Sequence, residues 1–140
     1  MMFENILLAA DGSSHSIRAA DKAIALTKKN AESYLTIVYA VDVSVAKEDV
    51  LLHWGGIGID EQRKKKLQVI EEKAKAAGVN YDLKIIRGEP GAAIVNFAKQ
   101  HKTDLVVIGS RGLNKLQEMV LGSVSQKVAR RVQCPVLIVK

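Results

Sequence analysis

The chain has 140 residues, of which 48% are hydrophobic and 26% charged. This balance is typical of a globular protein with a full core and excludes a disordered chain, so we expect residues 1–140 to form a single domain. The formal charge is +6, but aromatic residues make up only 4% and no recognition motif is visible, so we expect no specific nucleic-acid ligand.

Membrane, secretion, disulfide and metal signals are missing from the sequence. The apolar runs are far shorter than the roughly 20 residues of a membrane span, and Glu4 stands where a signal peptide needs a basic start. We therefore expect a cytoplasmic protein. Cys134 is the single cysteine, which excludes an intrachain disulfide, and His15, His53 and His101 lack metal-ligand spacing.

The first part of the chain predicts a strand, a turn, a helix and a second strand. The apolar run Asn5–Ala10 shows no alternation, which is typical of a strand covered on both faces. It ends at the turn Asp11–Ser14, which offers N-cap residues for a helix from about Ser14 to Lys29. Leu35–Val41 is rich in β-branched residues and predicts the second buried strand.

The next segment, Val43–Ile59, predicts no long regular element because glycines break its second half. We expect it to be a mobile excursion from the domain. Its residues His53 and Trp54 either fold over a ligand as a lid or pack the loop against the core.

The second half of the chain repeats the alternation. Asp60 is expected to cap a helix that ends at Gly78, and the basic run Arg63–Lys66 on it is interpreted as a solvated helix face. The remaining predicted elements are an edge strand at Tyr81–Ile86, a helix from Pro90 to near His101, a buried strand at Leu105–Ile108, a helix from Leu121 to Val132 and a last strand at Val136–Val139.

Alternating strands and helices predict an α/β fold with a doubly wound, five-stranded parallel sheet. In such a sheet, ligands bind beyond the carboxyl ends of the strands, where the strand order reverses. If the first and fourth strands are neighbours at that reversal, Asp11 faces the segment Gly109–Gly112 across one crevice. Asp11 then either contacts a ribose there or serves only as a turn residue.

The glycine-rich stretch after the fourth strand is the strongest functional signal. Gly109-Ser110-Arg111-Gly112 is followed, after nine intervening residues, by Gly122-Ser123-Val124-Ser125 at a predicted helix start. Unpaired amides at a helix N-terminus bind anions, so we expect a phosphate site there. A tight loop that needs glycine for its backbone is the alternative.

The strand that ends in Asp-Gly-Ser, the G-x2-G-x9-G-S pattern from Gly109 to Ser123 and the ending Cys-Pro-Val-Leu-Ile-Val resemble the ATP-binding branch of the universal stress protein family. The resemblance covers essentially the whole chain and implies a flavodoxin/Rossmann-like strand order 3-2-1-4-5, a homodimer and an ATP site, with Mg²⁺ carried by the triphosphate. It places Asp11 at the ribose or adenine end and the backbone around Ala10 and Ala40 against adenine. The residues that it implies around the ribose and phosphates are Gly109, Arg111, Gly112, Gly122, Ser123, Val124 and Ser125.

We therefore predict a stress-response protein that acts as a nucleotide-dependent sensor or binding module, with slow ATP hydrolysis at most. The alternative is a true ATPase or nucleotidyl-transfer enzyme, although no general base or P-loop lysine is visible. His15 is the best candidate for chemistry and is otherwise a surface histidine. The apolar strand Pro135–Val139 is expected to pair with its copy in a second subunit, unless helices cover it.

Overall fold

The computed structural model of the protein describes residues 3–11, 13–41, 61–110 and 122–140. The expected excursion Val43–Ile59 with His53 and Trp54 lies outside these residues, and so do the expected helix cap Asp60 and the predicted site residues Arg111 and Gly112.

Strands and helices alternate along the described chain, as the sequence predicts. They are β1 (Asn5–Ala10), α1 (Ser14–Lys28), β2 (Tyr34–Val41), α2 (Glu61–Ala77), β3 (Asn80–Arg87), α3 (Pro90–Gln100), β4 (Leu105–Gly109), α4 (Ser123–Arg131) and β5 (Val136–Val139). The prediction for the last helix was too long at both ends. Gly122 is the N-cap, with an extended backbone (φ −63°, ψ 159°), and Val132 is the C-cap.

The five strands form one parallel sheet in the order β3-β2-β1-β4-β5. This confirms the predicted doubly wound α/β fold, the edge position of β3 and the contact between β1 and β4. The reason is visible in the strand sequences: β4 is buried along its whole length, whereas β3 is only half-buried and carries Asp82 and Lys84.

Helices pack on both faces of the sheet and divide its core into two layers. One layer joins β1 and β2 to α1 and α2 through residues such as Leu8, Ile24 and Ile70. The other joins β1 and β4 to α3 and α4 through residues such as Val106, Phe97 and Val128. Alternate residues of each central strand enter opposite layers, which explains the continuous apolar runs of β1 and β4.

The register brings the carboxyl ends of the central strands level with one another. Ala10 of β1 pairs with Tyr39 of β2, while Ala9 of β1 pairs with Ile108 of β4. Gly109 in turn pairs with Val139 of β5. The chain segments that follow β1, β2 and β4 therefore leave the sheet at the same edge.

Candidate functional site

The carboxyl edge of the sheet brings together the residues that the sequence placed in one crevice. Ala10 is buried at the end of β1, and Asp11 follows it half-buried. Ala40 lies next to the end of β2, and Gly109 is the last residue of β4. Because β1 is hydrogen-bonded to both β2 and β4, all four residues meet around the point where the strand order reverses.

Asp11 fixes the turn that leads from β1 into α1. Its Oδ1 accepts a hydrogen bond of 2.8 Å from the amide of Ser13. Ser13 is the N-cap of α1, and its Oγ accepts from the amide of Ser16 at 3.1 Å, while the Ser16 hydroxyl donates to the Ser13 carbonyl at 2.9 Å. The turn interaction, the alternative role that the sequence indicates for Asp11, is therefore present. A carboxylate has acceptor capacity beyond this one bond.

Gly109 lies against the first turn of α1. A Cβ built on Gly109 would stand 2.8 Å from Cβ of His15 and 3.0 Å from its carbonyl carbon. A side chain at these distances would force the backbone of α1 to shift, so glycine allows the close approach of β4 and α1. The sequence pattern had offered a turn conformation or an anion site as the reason for this glycine, and it gave no sign of the contact with His15.

The start of α4 is attached to the end of β4 by two hydrogen bonds. The Gly122 amide donates to the carbonyl of Ser110 at 2.9 Å. The buried Ser125 hydroxyl donates to the carbonyl of Gly109 at 2.6 Å. Ser110, which the sequence did not single out as a site residue, also donates its amide to Val139 of β5 at 2.7 Å. The first turn of α4 is thereby fixed beside the strand ends.

The first turn of α4 has the properties of an anion site. The amides of the first residues of a helix have no partner within the helix, and the N-cap Gly122 has no side chain that could accept from them. No acidic residue lies in this first turn. The Ser123 side chain is exposed, whereas Val124 packs, together with Ala40, against the core layer of α3 and α4. Backbone amides and the Ser123 hydroxyl are thus the groups that this turn offers to a ligand.

A second connection, absent from the sequence predictions, joins α4 to the start of α3. Lys127 of α4 lies with its Cδ 2.6 Å from a Cβ built on Gly91, and its Nζ is 3.0 Å from Oε2 of Glu89. Glu89 is the N-cap of α3 and accepts from the amides of Ala92 at 2.9 Å and Gly91 at 3.1 Å. The bond from the Ala92 amide, with further contributions from Lys127 and Gly91, lowers the pKa of Glu89 against a smaller opposing effect of burial.

Within the four described segments, no group of three His, Cys, Asp or Glu side chains is placed to hold a metal ion. In the same segments, no helix is both long and apolar enough to cross a membrane.

Comparison with known proteins identifies the family of this chain. The model of the universal stress protein family matches residues 2–140. The universal stress protein YxiE of Bacillus subtilis is 38% identical over 154 aligned residues, which span 99% of this chain and all of YxiE. Among solved structures, the hypothetical protein MJ0577 superposes with a TM-score of 0.82 at 26% identity, over 100% of this chain and 97% of MJ0577. A universal stress protein in complex with cAMP superposes with a TM-score of 0.73 at 29% identity, over 100% of this chain and 98% of its own. The chain therefore belongs to the universal stress protein family.

Proposed function

We propose that this protein is a cytoplasmic ATP-binding module of the stress response, in which the bound nucleotide sets the state that a partner detects. The observation that carries the proposal is the attachment of the first turn of α4 to the end of β4. The 2.9 Å bond from Gly122 to Ser110 holds a helix N-terminus at the edge where parallel sheets bind ligands. A structural neighbour of the same family that is bound to cAMP supports an adenine nucleotide as the ligand.

The phosphates of ATP would lie at the first turn of α4. The amides of Ser123, Val124 and Ser125 and the exposed Ser123 hydroxyl supply donors, and the helix dipole favours negative charge at this end. The Ser125 hydroxyl already donates to Gly109, so it contributes as a fixed part of the frame. Arg111 and Gly112, in the same glycine-rich stretch, are proposed to enclose the phosphates from the other side.

The nucleoside would lie between the ends of β1 and β2. We propose that the Asp11 carboxylate, which keeps acceptor capacity beyond its bond to Ser13, accepts from a ribose hydroxyl. The backbone at Ala10 and Ala40 would contact adenine at the adjacent strand ends. Gly109, whose surroundings leave no room for a side chain, would form the floor between the nucleoside and the phosphates.

Mg²⁺ would be bound through the triphosphate. This ion commonly keeps several waters and binds through substrate phosphates with one or two carboxylates. The described residues provide no group of three side chains that could hold the ion without the nucleotide. The ion would neutralise phosphate charge at this edge.

We propose binding with slow hydrolysis at most. Three of the buried serine hydroxyls near this edge have a structural partner: Ser13 accepts from the Ser16 amide, Ser16 donates to the Ser13 carbonyl, and Ser125 donates to the Gly109 carbonyl. These three hydroxyls serve the frame, and fast hydrolysis by water would need a residue that activates the water, whereas the sequence shows no evident general base or P-loop lysine. The triphosphate would therefore persist long enough to act as a signal.

The identity of the ligand is tested on the purified protein. Acid release followed by chromatography and mass analysis is expected to yield ATP at near-stoichiometric amounts, whereas ADP alone would indicate turnover. Thermal unfolding with ATP, AMP and cAMP then ranks the nucleotides. A ligand at a hundredfold excess over its Kd stabilises the folded state by about 2.7 kcal/mol. If no nucleotide is released and none raises the unfolding temperature, the proposal is wrong.

The position of the site is tested by Gly122→Val. The backbone of Gly122 (φ −63°, ψ 159°) is one that other residues adopt, so the change adds a side chain at the phosphate position without backbone strain. We expect it to abolish stabilisation by ATP. Ala129→Val, on the exposed side of the same helix, is the matched control and should bind normally. Normal ATP binding by Gly122→Val would contradict the site assignment.

We also propose a homodimer formed through β5. This strand is the edge of the described sheet, and Leu137 on it is 37% exposed. An apolar edge strand is protected from aggregation when it pairs with its own copy across a two-fold axis. Light scattering should give twice the 15.3 kDa mass of the chain, and Leu137→Glu should give the monomer. A monomeric wild-type protein would exclude this arrangement.

A further inference from the structure

The two helices on one face of the fold carry an excess of positive charge. Residues 14–29 and 64–77, which cover α1 with its C-cap and the part of α2 whose side chains are described, contain nine Lys or Arg and three Asp or Glu. Their net charge of +6 equals the formal charge of the whole chain. Both helices cover the same side of the sheet, because they share one core layer. We call their solvent-facing surface the basic face.

On α1 the basic residues form a stripe opposite the core. Arg18, Lys22 and Lys29 are exposed, and Arg18 Nε donates to the carbonyl of Lys140 at 3.0 Å, whereas Ala20 and Ala23 are buried. At about 100° per residue, the three basic positions fall within about 40° of one another and span about 16 Å along the helix axis. A stripe of this length corresponds to about five base-pair steps along the axis of a duplex, in which each strand carries one phosphate per about 3.4 Å of axis.

On α2 the exposed lysines continue this surface, and its acidic neighbours are already engaged. Lys65 and Lys66 are exposed at the start of the helix. Asp21 of α1 is bound by Lys73 of α2, with a distance of 3.1 Å between Oδ1 and Nζ. This pair fixes the two helices together and neutralises the acidic side chain of α1.

Glu71 of α2 points towards β3 rather than to the basic face. Its Oε2 accepts from the Tyr81 hydroxyl at 3.0 Å. Glu72 is the one acidic side chain of residues 64–77 that is exposed. The six other exposed positions carry no negative charge: Lys65, Lys66, Gln68, Val69, Lys75 and Ala76. The outer surface of the two helices therefore presents an excess of cations to solvent.

The composition of the basic face favours duplex nucleic acid over a lipid surface or a single-stranded nucleic acid. Amphipathic helices that bind membranes expose an apolar side, whereas the apolar sides of α1 and α2 are buried against the sheet. Among the described residues of these helices, Val69 is the exposed large apolar side chain. The described parts of the two helices contain no Phe, Tyr or Trp on which unpaired bases would stack.

We propose that the basic face binds the phosphate backbone of duplex nucleic acid independently of base sequence. Cations in a stripe with no stacking or base-reading group supply affinity without specificity, which agrees with the lack of a recognition motif in the sequence. This surface is separate from the proposed nucleotide site, because it is formed by the outer sides of the helices rather than by the strand ends. The inference is therefore independent of ATP binding.

The test is fluorescence anisotropy with a labelled 20-base-pair duplex of random sequence. We expect micromolar binding in about 50 mM salt, and with about four phosphate contacts the affinity should fall roughly 100-fold at about 200 mM salt. Duplex DNA and duplex RNA should bind within a fewfold of each other, because both present the same backbone chemistry. No binding of the wild-type protein in low salt would overturn the proposal.

Two triple variants, each of which loses three positive charges, distinguish binding by the basic face from a general effect of the net charge. Lys22→Gln, Lys65→Gln and Lys66→Gln together should weaken binding at least about tenfold and reduce the salt slope by up to about 2.7. Lys99→Gln, Arg130→Gln and Arg131→Gln, all at exposed positions of α3 and α4, should weaken it less than about twofold. Both variants should keep the stabilisation by ATP. Equal loss in the two variants would overturn the assignment to this face.

Two further probes test the choice of partner. A single-stranded oligonucleotide of the same length and vesicles with a phosphatidylserine fraction replace the duplex in the same assay format. We expect both to bind more weakly than the duplex. Tighter binding of the single strand or of the vesicles, with loss in the first triple variant, would assign the basic face to that partner instead and reject the duplex.

Discussion

Replacing Gly109 by alanine tests the packing between β4 and the start of α1. The new Cβ would stand 2.8 Å from Cβ of His15, 3.0 Å from its carbonyl carbon and 3.1 Å from its carbonyl oxygen. Two of these three atoms belong to the backbone of α1. A rotamer change of His15 therefore cannot relieve the overlap, and the first turn of the helix has to move away from the sheet.

The free-energy cost of this movement can be converted into an expected change in Tm. Overpacking of a well-packed site typically destabilises a protein by about 1–3 kcal/mol. A chain of 140 residues has an unfolding entropy of about 0.3 kcal/mol/K near its midpoint. We therefore expect the Tm of Gly109→Ala to fall by about 3–10 °C. ATP binding should weaken as well, because Asp11 and α1 lie next to the displaced turn.

The assay is differential scanning calorimetry, with Gly91→Ala as the matched control. The three atoms nearest to a Cβ at position 91 all belong to the Lys127 side chain, the closest being Cδ at 2.6 Å. This side chain is flexible, and alanine gains helix propensity over glycine, so the control should lose less stability than Gly109→Ala. A Tm of Gly109→Ala within about 1 °C of the wild type would refute the packing argument.

Three further predictions follow from single interactions. Ser125→Ala leaves the Gly109 carbonyl without its 2.6 Å donor and should cost about 1–3 kcal/mol in urea unfolding, whereas Ser123→Ala at the neighbouring exposed position should change stability by less than about 0.5 kcal/mol. The hydrogen bond from the Ala92 amide is the main cause of the lowered pKa of Glu89. The ionised Glu89 side chain therefore stabilises the fold above its unfolded-state pKa, and this stabilisation is lost as pH falls through the folded-state pKa. Glu89→Ala should cost about 1 kcal/mol at neutral pH, and the difference from the wild type should shrink when unfolding is followed down to about pH 3. Burial raises the pKa of the Cys134 thiol, so alkylation by iodoacetamide at neutral pH should be at least about tenfold slower in the folded protein than in urea, and equal rates would contradict this.

Most of the fold was predictable because each element carries a local signal. The apolar run of β1 and the β-branched run of β2 mark buried strands, and the more polar β3 marks an edge. The strand order needed more than these local signals: the neighbouring positions of β1 and β4 were assumed from the general topology of doubly wound sheets and from the family resemblance, and the structure confirms them. Helix α4 was predicted too long because the apolar residues around it continue past its caps.

The sequence predicted which edge of the sheet the candidate site residues occupy, but it did not predict the contacts that they make. Asp11 and Gly109 follow strands, so topology alone brings them to one edge. The contact of Gly109 with His15 and the bond from Ser125 to its carbonyl depend on how closely α1 and α4 approach β4. On the side of α1, small side chains such as Ala19 and Ala20 allow this close approach, and a pattern of single residues does not encode such distances.

The geometry of the start of α4 depends on its tertiary contacts rather than on the helix itself. A helix of nine residues is marginal in isolation, and its N-cap Gly122 makes no side-chain capping bond. Instead, α4 is held by the Gly122 amide on Ser110, by the Ser125 hydroxyl on Gly109 and by the ion pair of Lys127 with Glu89. The two hydrogen bonds attach α4 to the end of β4 and the residue after it, and the ion pair attaches α4 to the N-cap of α3. A capping side chain would occupy the same amides that a phosphate needs, so holding the helix from its flanks keeps those amides available while their position stays fixed.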